Sequence, residues 1–177
     1  KAASTINLTL NGTAGNATLE KGSSINIVST LVAPATGTVA IYENGASIGS
    51  GSSPVTIPRT YTAIGTYNIT TQFAGDSNYN PSSRTYWITA QDTTPPAAVT
   101  NLNEASKGTT WIYWNWTNPG DADFSHTIVQ IDGVWKANVS SPTNYYNATG
   151  LSPSASYTIQ TRTADTTGNV NLNWVND

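Results

Sequence analysis

Apolar and polar residues alternate one by one along most of this chain, and that period of two restricts it to β-structure. Ile6, Leu8 and Leu10 alternate with Asn7, Thr9 and Asn11. Ile25 and Ile27, with Leu31 continuing them, mark a second strand, and Val39 and Ile41 open a third. Val55 and Ile57 follow, then Tyr67, Ile69 and Phe73 on one face, and residues 86–90. In the second half Val99 and Leu102 begin the scheme again. Ile112, Trp114 and Trp116 share one face, with Trp111, Tyr113 and Asn115 on the other. Strands are expected at residues 127–131 and 135–139, at Tyr157, Ile159 and Thr161, and at Val170, Leu172 and Trp174. Asn44-Gly45 and Asp132-Gly133 are pairs that tolerate positive φ, so each predicts a tight hairpin turn. Short strands divided by turn signals predict an all-β chain of sandwiches, with no helix longer than a turn or two.

Pro95-Pro96 gives the clearest boundary. Two successive prolines lack N–H donors and fix φ, so a central strand cannot pass through them. The expectation is a domain over residues 1–91, a Pro-rich linker over 92–96 and a second domain over 97–177. Stretches of about 90 and about 80 residues are each large enough for one small sandwich.

Composition narrows the function. Only 10% of the residues are charged, against about 25% in an ordinary soluble domain. Thr, Ser, Asn and Gly take their place, which suits an extracellular wall or coat. Net charge is −3, and the seven Lys and Arg never cluster, so the basic stripe that nucleic-acid binding needs is missing. No apolar run is long enough to insert in a membrane as a helix, and the start of the sequence lacks a signal-peptide pattern. With no cysteine, each domain must stand on its own packing.

Two sets of residues carry family resemblances. Leu151-Ser152-Pro153-Ser154-Ala155-Ser156-Tyr157, followed by Ile159 and Ala164, resembles the tyrosine-corner segment of fibronectin type III domains. Trp116, three residues before Pro119, is similar to that family's early core tryptophan, and Trp114 lies on the same side. The resemblance spans residues 97–176. It implies a sandwich in which the Tyr157 hydroxyl bonds to backbone. In the first domain, Gly65-Thr66-Tyr67 and Phe73-Ala74-Gly75-Asp76-Ser77-Asn78-Tyr79-Asn80-Pro81-Ser82 resemble immunoglobulin-like repeats of bacterial and archaeal surface proteins. Asp92-Thr93-Thr94-Pro95-Pro96, Asn118-Pro119-Gly120-Asp121-Ala122-Asp123-Phe124 and Ala164-Asp165-Thr166-Thr167-Gly168-Asn169-Val170 resemble tandem modules of methanogen surface-layer and related archaeal surface proteins. That resemblance implies an archaeal cell envelope and no activity.

Candidate chemistry is sparse. His126 is the single histidine, and without cysteine a zinc site around it would have only carboxylates to add. Ser125 beside it does not make a triad, and no serine has the strand-turn-helix setting of a nucleophile elbow. Asp121 and Asp123 flank Ala122. They could contribute to a Ca²⁺ site, but six to eight oxygens are needed, and an Asx-type turn is the simpler reading. Asp165 and Asn169 around Gly168 predict a hairpin turn, and Asp76 caps another. No catalytic residue, cofactor or metal is expected.

Seven Asn-x-Ser/Thr sequons are glycosylation candidates: Asn7, Asn11, Asn16, Asn68, Asn115, Asn138 and Asn147. Asn7, Asn11 and Asn68 alternate with apolar neighbours and should face solvent. Trp87, Trp111, Tyr113, Trp135, Tyr145 and Tyr146 exceed what two small cores need. They are candidates for ordinary edge packing, for contact with another copy of the chain, or for stacking on glycans. Residues 4–10 and 169–175 are uncharged and edge-like. Ile6, Leu8 and Leu10 either complete the first strand of their own domain or pair with a neighbouring copy.

The resulting expectation is two tandem immunoglobulin-like β-sandwiches, the second fibronectin type III-like, in a non-enzymatic structural protein of a cell surface, surface layer or filament. Its expected partners are further copies of itself and glycans. The alternative is a carbohydrate-binding or adhesion module.

Overall fold

In the computed structural model, which describes residues 1–177, the alternation of residues 6–10 becomes strand β1 (Ile6–Leu10), with Ile6, Leu8 and Leu10 buried and Asn7 exposed. The chain falls into two units, Lys1–Asp92 and Thr93–Asp177. Every regular element in both is a strand.

The first unit continues with β2 (Ala17–Glu20), β3 (Ser24–Leu31), β4 (Thr38–Glu43), β5 (Ala46–Ser52), β6 (Val55–Thr60), β7 (Gly65–Phe73) and β8 (Ser82–Gln91). They form a three-stranded sheet in the order β1-β3-β6 and a five-stranded sheet in the order β2-β8-β7-β4-β5. Pairing is antiparallel except that β2 runs parallel to β8. Asn44 and Gly45, at φ 50° and 84°, make the β4–β5 hairpin that the sequence predicts. Pro58 lies on edge strand β6, where its missing N–H leaves no ladder bond unmade. The inward faces meet in a core of Leu8, Leu10, Ile25, Ile27, Ile41, Tyr61, Ile69 and Ile88. Each such side chain contributes about 1.5–3 kcal/mol by leaving water. Between the sheets, Ser29 of β3 and Thr71 of β7 hydrogen-bond to each other, both fully buried.

The second unit comprises β9 (Thr100–Lys107), β10 (Trp111–Thr117), β11 (Phe124–Ile131), β12 (Val134–Ser140), β13 (Tyr145–Thr149), β14 (Ile159–Asp165) and β15 (Val175–Asn176). Its sheets are β9-β10-β13 and β12-β11-β14-β15. This is the strand order of a fibronectin type III-like sandwich. Trp114 and Trp116 are both buried, packed with Val129, Ile131 and Ile159. The Tyr157 hydroxyl accepts a hydrogen bond from the Ser152 amide at 2.8 Å, which is the corner contact the resemblance implies. The first unit has a counterpart: the Tyr67 hydroxyl donates to the Ala63 carbonyl at 2.9 Å.

One expected strand does not form. Residues 169–174 alternate, yet they meet β14 only in an isolated bridge, Ala164–Val170, with the Asn171 amide on the Thr163 carbonyl; regular strand begins at β15, and Leu172 is 83% exposed. Side chains capture the amides on either side of that bridge. Asp165 takes the amides of Thr167 and Asn169, Asn171 Oδ1 takes the Asn173 amide, and Asn171 Nδ2 donates to the Pro96 carbonyl. Such local bonds compete with a ladder. Pro96 itself is buried, and its carbonyl also accepts from the Thr163 hydroxyl. The last residue of the expected linker is therefore part of the second unit.

Candidate functional site

The alternation that turns Ile112, half-buried, and Trp114 and Trp116, buried, toward the core turns Trp111, Tyr113 and Asn115 to the outer face of the β9-β10-β13 sheet. Antiparallel register sets Tyr113 opposite Asn147, Asn115 opposite Tyr145, and Trp111 opposite Thr149. The rings of Tyr113 and Tyr145 stack, with centroids 5.2 Å apart and planes 26° apart. The Trp111 indole lies against Gly108, where a Cβ would meet its Nε1 at 2.3 Å. A side chain at position 108 would displace the ring. Tyr146, by contrast, packs against the core.

The other aromatic candidates lie apart from this face. Trp135 on β12 is 59% exposed, and its Nε1 donates to Asn138 Oδ1 at 3.1 Å. Trp87 on β8 is exposed opposite Asn68 of β7, and its backbone amide donates to Asn16 Oδ1 at 3.0 Å.

Ile6, Leu8 and Leu10 require a correction as interaction residues. They are buried in their own sandwich, with β1 paired to β3 from Ile6–Leu31 to Leu10–Ile27. Their apolar face is therefore not offered to a neighbouring copy. The physical reason is that β1 supplies Ile6, Leu8 and Leu10 to the core clusters over which the two sheets close.

Of the sequons, Asn7, Asn11, Asn16, Asn138 and Asn147 are exposed, while Asn68 and Asn115 are half-buried. Asn68, expected to face solvent, is half-buried on its strand, directly opposite Trp87. Asn11, at φ 49°, accepts the Asn26 amide on its Oδ1 at 2.8 Å. Asn68 Oδ1 accepts from the hydroxyl of Thr70, the third residue of its own sequon, at 2.8 Å.

The ionisable groups with displaced titration hold the fold. Burial pushes the Glu43 carboxyl up, but hydrogen bonds from Arg59 and Tyr61, with the Arg59 charge, outweigh it and hold it below its ordinary value. Arg59 donates to Glu43 Oε1 at 2.7 Å, and the Tyr61 hydroxyl donates to Glu43 Oε2 at 2.6 Å. Burial, then the bond to Glu43, drives the Tyr61 phenol well up. Together they tie β4 to β6 and the segment after it, across the two sheets. In the second unit burial likewise pushes Asp165 up, and the Asn169 and Thr167 side chains and amides bring it below its ordinary value. This is the turn-forming role that the Asp165/Asn169 spacing predicts. Asp76 takes the amides of Asn78 and Tyr79, both at 2.7 Å. Asp121 Oδ2 takes the distant Ala97 amide at 3.1 Å instead of a local one, and the turn is closed by the Phe124 amide on the Asp121 carbonyl at 3.2 Å. His126 Nδ1 lies 3.1 Å from Ser125 Oγ.

No family model matches the sequence, and no curated protein matches it. Solved structures do. The fibronectin(III)-like modules of CbhA from Clostridium thermocellum superpose with a TM-score of 0.42 at 17% identity, over 96% of this chain and 92% of that one. Domains FN1–FN3 of chicken CNTN1 give 0.45 at 14% identity, over 93% and 69%. The spore cortex lytic enzyme SleM of Clostridium perfringens gives 0.44 at 22% identity, over 48% of this chain and 28% of its own length. Likeness at this level carries no argument about function. The assignment of two immunoglobulin-like sandwiches, the second fibronectin type III-like, rests on the strand order given above.

Proposed function

We propose that this chain is a non-enzymatic pair of structural modules from an extracellular surface, such as the surface layer or a filament of an archaeal envelope, with the mechanical work of spacing and coating. The observation that carries the reading is where the strongest polar groups are spent. Glu43, Arg59 and Tyr61 close one sandwich, and Asp165 with Thr167 and Asn169 closes a turn of the other. A reactive site needs perturbed groups aimed at a space where substrate sits; here they are aimed at the protein's own backbone and side chains. The uncharged Thr, Ser and Asn surface fits a coat. Contact with further copies of the chain would use the backbone of edge strands such as β5 or β12.

A carbohydrate-binding or adhesive role has one observation in its favour, the Tyr113–Tyr145 stack beside Trp111 on an open sheet face. Antibodies raised against the chain test the structural reading. They should label intact source cells; labelling that requires lysis overturns an extracellular role.

A further inference from the structure

The exposed aromatic side chains are not scattered. Trp87 stands directly opposite Asn68, Tyr113 opposite Asn147, and Tyr145 opposite Asn115. Trp111 stands opposite Thr149, the third residue of the Asn147 sequon, and Trp135 hydrogen-bonds to Asn138. Thus each exposed Trp or Tyr of the two sandwiches, Trp87, Trp111, Trp135 and Tyr145, adjoins a sequon on its own sheet face. Directly opposed residues hold their Cβ atoms about 4.5–5.5 Å apart and point the same way. That spacing brings an aromatic ring alongside the asparagine amide and under whatever the amide carries.

We propose that Trp87, Tyr113, Tyr145 and Trp135 are platforms for this chain's own N-linked glycans, each covering the first sugar on Asn68, Asn147, Asn115 and Asn138 respectively. A pyranose has a face of C–H groups that is apolar, and an aromatic ring is the flat apolar surface that matches it. An indole or phenol left in water gains by this cover, so the glycan and the sheet stabilise each other. Two of the amides are already oriented. The Thr70 hydroxyl holds Asn68 Oδ1 at 2.8 Å, and the Trp135 indole holds Asn138 Oδ1 at 3.1 Å. In both, the oxygen is engaged and the nitrogen, which bears the sugar, is the remaining polar atom of the amide. Attachment joins the anomeric carbon of a lipid-linked sugar phosphate to Nδ2. The carbon–oxygen bond to phosphate breaks, the phosphate leaves on its lipid, and the amide nitrogen yields one proton to the transferring enzyme.

The same arrangement gives the Tyr113–Tyr145 face an occupant, sugar from the chain itself instead of sugar from a separate polysaccharide. Asn7 and Asn11 are internal controls. Asn7 lies opposite Thr30, and Asn11 is held by the Asn26 amide. A glycan on either has no ring in register beneath it.

The inference rests on the extracellular reading, and the experiment separates the two. Glycopeptide mass spectrometry of native material first reads occupancy site by site. Thermal unfolding then compares the glycosylated protein with its enzymatically deglycosylated form, for the parent and for Trp135→Ala and Tyr113→Ala/Tyr145→Ala. Trp135 is mostly exposed, so its removal leaves the core intact. The expected result is occupancy at the four asparagines, a melting temperature that falls on deglycosylation of the parent, and a smaller fall in each variant. First-sugar proton resonances should also move upfield in the parent alone. Bare peptides at all four sites overturn the proposal even if surface labelling succeeds. Occupied sites with an equal fall in parent and variants, and no upfield shift, overturn the stacking alone. Binding of a free polysaccharide by the deglycosylated parent, lost in Tyr113→Ala/Tyr145→Ala, assigns the face to outside sugar and also overturns it.

Discussion

The indole Nε1 of Trp114 donates to the carboxylate of Asp177 at 3.0 Å, and the same oxygen accepts the Glu104 amide at 2.8 Å. Trp114 is the largest of the fully buried side chains. Asp177, just beyond β15, thereby joins the end of one sheet to β9 and β10 of the other. Asp177→Ala should destabilise the second sandwich by about 1–3 kcal/mol, since it leaves a buried N–H without its charged acceptor. Trp114→Ala should cost about 3–5 kcal/mol through the cavity it opens. Denaturant titration followed by tryptophan fluorescence measures both. An Asp177→Ala midpoint equal to that of the parent would contradict the anchoring role.

The buried hydroxyl pair of Ser29 and Thr71 gives a double-mutant test. Thr71→Val strands the Ser29 hydroxyl in an apolar core, at about 1–3 kcal/mol, whereas Ser29→Ala leaves the Thr71 hydroxyl its bond to the Ala40 carbonyl at 3.4 Å and should cost less. The double variant removes both polar groups and should be less destabilised than the two single losses added together. Simple additivity in chemical denaturation would show that the two hydroxyls do not depend on each other.

Acid sensitivity follows from Glu43 and Asp165. Both carboxyls titrate below their ordinary values in the folded protein. A depressed folded value means the unfolded chain binds protons first on acidification. Their stabilisation is complete above the unfolded values, 4.5 and 3.8, and is lost as pH falls through the folded ones. Asp165→Asn should be less stable than the parent at neutral pH and should lose less stability on moving to about pH 3. Parallel pH dependences for the two proteins would refute a linkage through Asp165.

Removing residues 1–11 should unfold the first sandwich. Ile6, Leu8 and Leu10 go with them, all buried. Truncating one such side chain typically costs about 2–5 kcal/mol, while a whole domain is stable by about 5–15 kcal/mol. Circular dichroism and limited proteolysis should show a disordered first unit beside a resistant second one. A truncated chain that melts like the parent would mean that β1 is dispensable.

Facing is readable from residue order, because side chains alternate strictly along a strand. The burial of Trp114 and Trp116, the exposure of Trp111 and the paired turns at Asn44-Gly45 and Asp132-Gly133 all follow from neighbours in the chain. Pairing is different. Residues 17–20 carry no local mark of the parallel partner they find in β8, some seventy positions away. Tyr145 and Tyr146 look like loop aromatics until β10 pulls them into β13. Residues 169–174 alternate properly and still make only an isolated bridge to β14, because the Asp165 and Asn171 side chains take the amides of Asn169 and Asn173. The sequons and the surplus aromatics are each visible one at a time. Only register brings Trp87 to Asn68 and Tyr113 to Asn147, since a slip of one residue would send every side chain on a strand to the opposite face.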